Sequence, residues 1–133
     1  MSTHHSDTRI ETDSLGDIAV PASARWGAQT QRAVDNFPIS GRQLPTRFIQ
    51  AVVRIKRCAA ETNRQLETLS ADKAVAIVGA CNDLLEGHHR DQFPVDIFQT
   101  GSGTSTNMNV NEVIAHLCAV SYTHLTLPTS SVV

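Results

Sequence analysis

The chain is organised around residues 91–113, which read DQFPVDIFQTGSGTSTNMNVNEV. Two of the seven glycines in the sequence, Gly101 and Gly103, lie in this stretch between small hydroxyl-bearing residues. Glycine allows positive φ angles and lets a ligand approach the backbone closely. Four apolar residues then recur at the spacing of one helix face, namely Val110, Val113, Ile114 and Leu117. The stretch therefore predicts a loop around Gly101 and Gly103, here called the glycine loop, that leads into a helix beginning near Thr104 or Thr106.

A helix that begins at this loop offers a binding site for a small anion. With a Thr or Ser N-cap, several backbone N–H groups stay unpaired at the loop, and the helix dipole places partial positive charge there. The hydroxyl groups of Ser102 and Thr104 add neutral donors, which suits a carboxylate that is held reversibly. An ordinary loop that ends in a capped helix explains the same residues equally well, so both interpretations stay open on these residues alone.

Two better-known motifs do not fit the loop. A phosphate-binding loop is disfavoured because no Gly-Lys-Ser/Thr follows the glycines. A nucleophile elbow is disfavoured because Ser102 lies in Gly-Ser-Gly and lacks the Gly-x-Ser-x-Gly spacing.

Two helices with apolar faces are predicted upstream of the loop. The first covers residues 46–69, where the steps between inward residues alternate between four and three, as in a bundle seam. Its predicted seam consists of Phe48, Val52, Ile55, Ala59, Thr62, Leu66 and Leu69. The second covers residues 71–86, with Ser70 as its N-cap and Gly87 at its end. Because the link between them is short, we expect the two helices to be antiparallel neighbours.

The residues before these helices predict a small β-hairpin and a short helix. Residues 9–13 and 18–20 have strand character, and Gly16 supplies the turn between them. Two strands this short are marginal alone, so we expect them to lie against the helices. The short helix covers residues 27–36, and a solvated face is one interpretation of its polar run at residues 29–32.

Composition and charge limit the class of protein. A length of 133 residues, with 41% hydrophobic and 18% charged residues, suits one soluble globular domain. The net charge of −2 gives no basic face for nucleic acid or a membrane surface, and Arg54, Lys56 and Arg57 are expected to be solvated. No apolar run is long enough to span a bilayer, and the N-terminus lacks the apolar core of a secretory signal, so a cytoplasmic location is expected.

The cysteines and histidines lack the spacing of a metal site. Cys58, Cys81 and Cys118 contain no Cys-x-x-Cys pair. Three cysteines can in principle hold an iron–sulfur cluster with one open iron, but each lies in a helical apolar pattern, where a buried thiol is the commoner state. His88 and His89 are adjacent and do not share a helix face, which favours a polar turn.

Three blocks of the sequence resemble the class II fumarases of the fumarase/aspartase superfamily. They are FQTGSGTSTNMNVNEV at residues 98–113, WGAQTQRAVDNFPIS at residues 26–40 and DSLGDIAVPA at residues 13–22. The resemblance is collinear from about residue 9 to about residue 117. It implies a mainly α fold, an N-terminal lyase-type helical domain with a small β-hairpin that is truncated before the central helical bundle of the family.

The resemblance also implies a function. Class II fumarases hydrate fumarate reversibly to L-malate in the tricarboxylic acid cycle, as homotetramers, without a metal or organic cofactor. Ser102, Gly103 and Thr104 match the segment that binds a substrate carboxylate, whereas no catalytic residue of the family has a counterpart in this chain. The resemblance also implies that residues 29–32 lie close to the substrate entrance, without a binding role for Arg32. The chain alone is therefore expected to be an inactive fragment.

Two alternatives to the fumarase assignment remain from the sequence. Aspartate ammonia-lyases usually carry Gly-Gly-Ala-Gly-Thr at residues 100–104 and Tyr-Gly-Val-His-Thr at residues 26–30, so both segments favour a fumarase. A non-catalytic helical fragment is the second alternative.

The resemblance defines the expected domain boundaries. Residues 1–8 are predicted to be a disordered lead-in, residues 9–118 a partial lyase domain, and residues 119–133 an aberrant tail outside the family pattern. The tail is rich in Thr and β-branched residues and contains Pro128, which conflicts with a continuing helix. His124 follows Thr123 there, but no family role is transferred to it.

Overall fold

A computed structural model of the chain describes residues 7–121. Within them it shows four α-helices and a two-stranded antiparallel sheet, which confirms the predicted mainly α fold with a small hairpin. The elements are β1 (Thr8–Asp13), β2 (Gly16–Pro21), α1 (Ala28–Asn36), α2 (Thr46–Gln65), α3 (Ala71–Leu85), a 3₁₀ turn (Arg90–Gln92) and α4 (Thr104–Ser121). Residues 1–6 of the predicted lead-in and residues 122–133 of the predicted tail lie outside the described residues. Residues 119–121 continue α4.

The core lies between α2, α3 and α4. Its fully buried side chains include Val53 from α2, Ile77 from α3 and Val110 from α4. Helices α2 and α3 are antiparallel, as predicted, because Gln50 and Arg57 of α2 donate to the Leu85 carbonyl and to Asn82 of α3, respectively. Ser70 accepts from the Lys73 amide at 3.4 Å, which is the predicted cap of α3.

The buried face of α2 lies one residue away from the predicted seam. The buried residues are Ile49, Val53, Lys56 and Ala60. Three residues of the predicted seam, Phe48, Ile55 and Leu66, are 50%, 65% and 66% exposed. The predicted helical period was right and its phase was wrong, because α2 has apolar residues along two adjacent stripes and the buried stripe is interrupted by a lysine.

Two of the three cysteines are buried and one is exposed. Cys81 and Cys118 are buried, as predicted, but the prediction that Cys58 is a core residue was wrong, because it lies exposed on α2. Burial raises the pKa of Cys81 to about 12 and the pKa of Cys118 to about 11. Both thiols therefore stay protonated at neutral pH and serve as small core residues.

Two arginines hold the hairpin in place, so the strands do not depend on their own ladder alone. Arg32 of α1 donates from Nε and Nη2 to the two carboxylate oxygens of Asp13, both at 2.9 Å. Arg9 of β1 donates to the carbonyls of residues 21, 22, 24 and 26. The bidentate Arg32–Asp13 pair is the stronger geometry for a guanidinium and a carboxylate, and it fixes α1 against the turn of the hairpin.

Candidate functional site

The glycine loop ends where α4 begins, as predicted. Gly103 has a φ of +73°, which favours glycine, and Thr104 is the first residue of α4. The hydroxyl oxygens of Ser102 and Thr104 are 2.7 Å apart and form a hydrogen bond. Ser102, Gly103 and Thr104 are all exposed, so the structure brings the three predicted binding residues together at the surface.

The start of α4 is capped by a residue that sequence reasoning did not identify. The predicted cap was a Thr or Ser at the helix start, but Gln99 Oε1 accepts from the backbone N–H and the hydroxyl of Thr106 at 3.0 and 2.9 Å. The Gln99 Nε2 group donates in turn to the Asp96 carbonyl at 2.9 Å. Gln99 thus satisfies one amide of the first turn and ties the loop to the segment that precedes it.

A cleft of about 550 Å³ lies between the glycine loop and α2. Ser102 and Gly103 line it from the loop, whereas Thr104 lies beside it with its hydroxyl bonded to Ser102. Apolar side chains line the opposite wall, among them Val52 and Ile55. The cleft therefore combines hydroxyl and amide donors on one side with hydrocarbon on the other.

Lys56 is a cleft residue that the sequence analysis did not place there. We expected it to be solvated, but it is only 4% exposed, and it lines the cleft. Its Nζ donates to Asn107 Oδ1 in the first turns of α4. Burial lowers the pKa of Lys56 because it disfavours the charged form. The correct phase of α2 would have indicated that Lys56 is buried, because the helical stripe through Ile49 and Val53 also contains position 56.

Asp96 fixes the segment that leads into the glycine loop. Its carboxylate accepts from the amides of Phe98, Ser40 and Gly41 at 2.8 to 2.9 Å. The Ser40 hydroxyl also donates to it at 2.9 Å. These hydrogen bonds, that from Phe98 foremost, lower the pKa of Asp96 to about 2. The carboxylate is therefore ionised at neutral pH and anchors one end of the cleft to the loop at residues 40–41.

Glu112 connects α4 to the start of α1. Its carboxylate accepts from the amides of Gln29 and Thr30 at 3.1 and 2.8 Å, and from the Thr30 hydroxyl at 2.5 Å. These amides lie at the N-terminus of α1, where Gly27 has no side chain to cap them. Thr30 is fully buried, so the interpretation of residues 29–32 as a solvated face does not hold for this residue.

The histidine pair forms part of a turn. His88 Nε2 lies 3.7 Å from Glu86 Oε2, and His89 has a φ of +60° before the 3₁₀ turn. Across residues 7–121, no cluster of three His, Cys, Asp or Glu side chains has the geometry to hold a metal ion. None of the helices in this part of the chain is both long and apolar enough to cross a membrane.

Residues 16–131 match the sequence profile of a family described as lyase. The chain is similar to a fumarate hydratase class II of Halobacterium salinarum, with 57% identity over 85% of this chain and 24% of that protein. It is similar to a fumarate hydratase class II 2 of Pseudomonas aeruginosa, with 54% identity over 86% of this chain and 25% of that protein. The chain thus spans about a quarter of the length of these curated relatives.

A solved structure has the same fold. The chain superposes on a recombinant class II fumarase from Schistosoma mansoni with a TM-score of 0.89 and 38% sequence identity. The match covers 95% of this chain and 28% of that structure. The helices and hairpin described above therefore correspond to one part of a larger protein fold.

Proposed function

This chain belongs to the lyase family, and from that premise we propose that it forms the N-terminal part of a class II fumarate hydratase. The proposed reaction is the reversible addition of water across the double bond of fumarate to give L-malate. The observation that carries the proposal is the cleft at the glycine loop, where Ser102 and Gly103 face a buried lysine. Its hydroxyl and amide donors suit a small dicarboxylate, and two relatives with more than half of their aligned residues identical are named as fumarate hydratases.

The role of this cleft in the reaction is to position a carboxylate. Ser102 and Thr104 hold their hydroxyl groups within 2.7 Å of each other at the N-terminus of α4, where helix amides add partial positive charge. The reaction also needs a proton-transfer pair. In the direction from L-malate to fumarate, a base removes the proton next to a carboxylate and an acid assists the departing hydroxyl. We assign neither role to a residue of this chain, so we propose that the cleft is one wall of the complete site.

We also propose that the full protein is a cytoplasmic homotetramer without a metal or organic cofactor. A site of which this chain provides only one wall requires other chain segments to close it. The exposed apolar residues Phe48, Ile55 and Phe98, which line the cleft, are consistent with closure by such segments. Size measurement of the hybrid enzyme described next tests the tetramer.

A hybrid enzyme tests the proposed reaction. In it, residues 1–117 of this chain precede the corresponding remainder of the Pseudomonas aeruginosa relative. We expect it to hydrate fumarate, seen as loss of fumarate absorbance, and not to release ammonia from L-aspartate. Ammonia release from aspartate would identify an aspartate ammonia-lyase instead. A tetrameric, folded hybrid with neither activity would contradict the proposal.

A further inference from the structure

We propose that Lys56 supplies the positive charge that recognises a carboxylate in the glycine-loop cleft. This inference rests on the proposed function, because it concerns the same cleft. It adds to that function a role for Lys56, which lies on the α2 wall of the cleft. The side chains of the glycine loop are neutral, so the loop offers an anion only the partial positive charge at the N-terminus of α4 and no full positive charge.

The burial of Lys56 is the first observation that requires a reason. An ammonium group is costly to bury unless it is paired, and lysine is among the residues that are least often fully buried. Lys56 is 4% exposed, yet no acidic side chain of residues 7–121 forms an ion pair with it. A buried cation without a counter-ion at the wall of a cleft is complementary to an anionic ligand.

The composition of the cleft lining is the second observation. Among the described residues that line the cleft, Lys56 is the one with a charged side chain. The others are apolar, or carry hydroxyl, amide or backbone groups, so the lining has a net positive charge. Hydrocarbon from Val52 and Ile55 beside this charge suits a carboxylate on a short carbon chain.

Asn107 holds the ammonium group in place without neutralising it. An ammonium group has three N–H donors, and Asn107 Oδ1 takes one of them. An amide oxygen orients the group but leaves its formal charge, whereas a carboxylate at this position would pair with it. Asn107 also donates its backbone N–H to the Gly103 carbonyl at 3.2 Å, so Asn107 links the lysine to the glycine loop.

The test is titration of the 133-residue chain with succinate, a dicarboxylate that does not react, and with succinamide, its neutral analogue. Binding is followed by NMR through the backbone amides of residues 101–107. We expect the unmodified chain to bind succinate at millimolar concentrations and to bind succinamide more weakly. We expect Lys56→Met to weaken succinate binding on the order of 10- to 100-fold, the range of a hydrogen bond to a charged group, and to reduce the preference over succinamide by a similar factor.

Three further variants separate a binding role from a structural one. Asn107→Asp places a carboxylate beside Lys56, so it should raise the thermal unfolding midpoint and yet weaken succinate binding. Lys56→Arg keeps the charge and should retain the preference for succinate. Arg54→Met, on the exposed side of α2, removes the same charge and should leave binding unchanged.

The inference is overturned if Lys56→Met or Asn107→Asp binds succinate as well as the unmodified chain does. It is equally overturned if the unmodified chain shows no saturable change at residues 101–107. The proposed function fails separately. A chain that binds succinate through Lys56, but whose hybrid enzyme does not hydrate fumarate, keeps this inference and loses the proposed reaction.

Discussion

Gly27 determines how closely α1 and α4 approach each other. A methyl group at this position would lie 2.6 Å from Glu112 Oε2, well inside a normal contact distance. Its φ of −116° is accessible to any residue, so the need for glycine comes from contact with Glu112 and not from backbone strain. Without a side chain at Gly27, the Glu112 carboxylate reaches the first amides of α1.

The replacement Gly27→Ala should therefore destabilise the fold. Displacing Glu112 weakens charge-assisted hydrogen bonds, so we expect the free energy of unfolding to fall by about 1–2 kcal/mol. Gly79→Ala is the matched control, because a methyl group there meets nothing within 4 Å in the middle of α3. That control should raise the free energy of unfolding by about 0.5–1 kcal/mol. Urea unfolding followed by circular dichroism measures both changes, and equal effects of the two variants would refute the role of Gly27.

At the scale of the element, α2 shows where sequence reasoning succeeds and where it fails. The spacing of apolar residues predicted a helix at residues 46–69, and the structure has one at Thr46–Gln65. The phase was wrong because two adjacent stripes both fit steps of three and four. Only packing against α3 and α4 decides between them, and that information is not local to α2.

Paired alanine variants test the phase of α2. Val53 is fully buried, whereas Ile55 is 65% exposed. We expect Val53→Ala to lower the free energy of unfolding by roughly 2 kcal/mol, from lost burial and the cavity left behind. Ile55→Ala should cost no more than about 0.5 kcal/mol in the 133-residue chain. Urea unfolding again provides the measurement, and the reverse order of the two effects would restore the seam predicted from the sequence.

The segment before the glycine loop depends on the ionised form of Asp96. Because the pKa of Asp96 is lowered from 3.8 to about 2, its contribution to stability is present above about pH 4 and is lost as the pH falls towards 2. Asp96→Asn removes this charge at every pH. The difference in unfolding midpoint between the unmodified chain and Asp96→Asn should therefore shrink between pH 4 and pH 2. A difference that stays constant over this range would show that the charge of Asp96 does not anchor the segment.

At the scale of the whole molecule, the three blocks that resemble the family contact one another. Asp13 of the block at residues 13–22 pairs with Arg32 of the block at residues 26–40. Thr30 of that second block bonds to Glu112 of the block at residues 98–113. The sequence was sufficient to predict the fold class, the hairpin and the loop that opens α4. It was not sufficient to predict that Lys56 meets Asn107 or that Glu112 caps α1, because these partners are 51 and 82 residues apart. Such contacts depend on how the helices pack.

The chain by itself should not hydrate fumarate. The cleft can position a carboxylate, but it has no proton-transfer pair. It therefore lacks general acid–base catalysis, which typically raises the rate by ~10² to 10⁴. Losing the rest of the site also removes most of the electrostatic stabilisation of the developing charge. A fumarate absorbance assay of the purified chain, free of host enzyme, should give the rate of the buffer alone. Turnover well above that rate would mean that catalytic residues are present in this chain.

The most direct test of the central claim, that the glycine loop binds the substrate carboxylate, is the activity of the hybrid enzyme with Ser102→Ala and Thr104→Ala combined. If the two hydroxyl groups hold the carboxylate, kcat/KM for fumarate should fall by about 100-fold or more, because two hydrogen bonds to a charged group are lost. The helical circular dichroism spectrum should stay unchanged, since both side chains are exposed. An unchanged kcat/KM in the double variant would contradict the claim and leave the loop as scaffold.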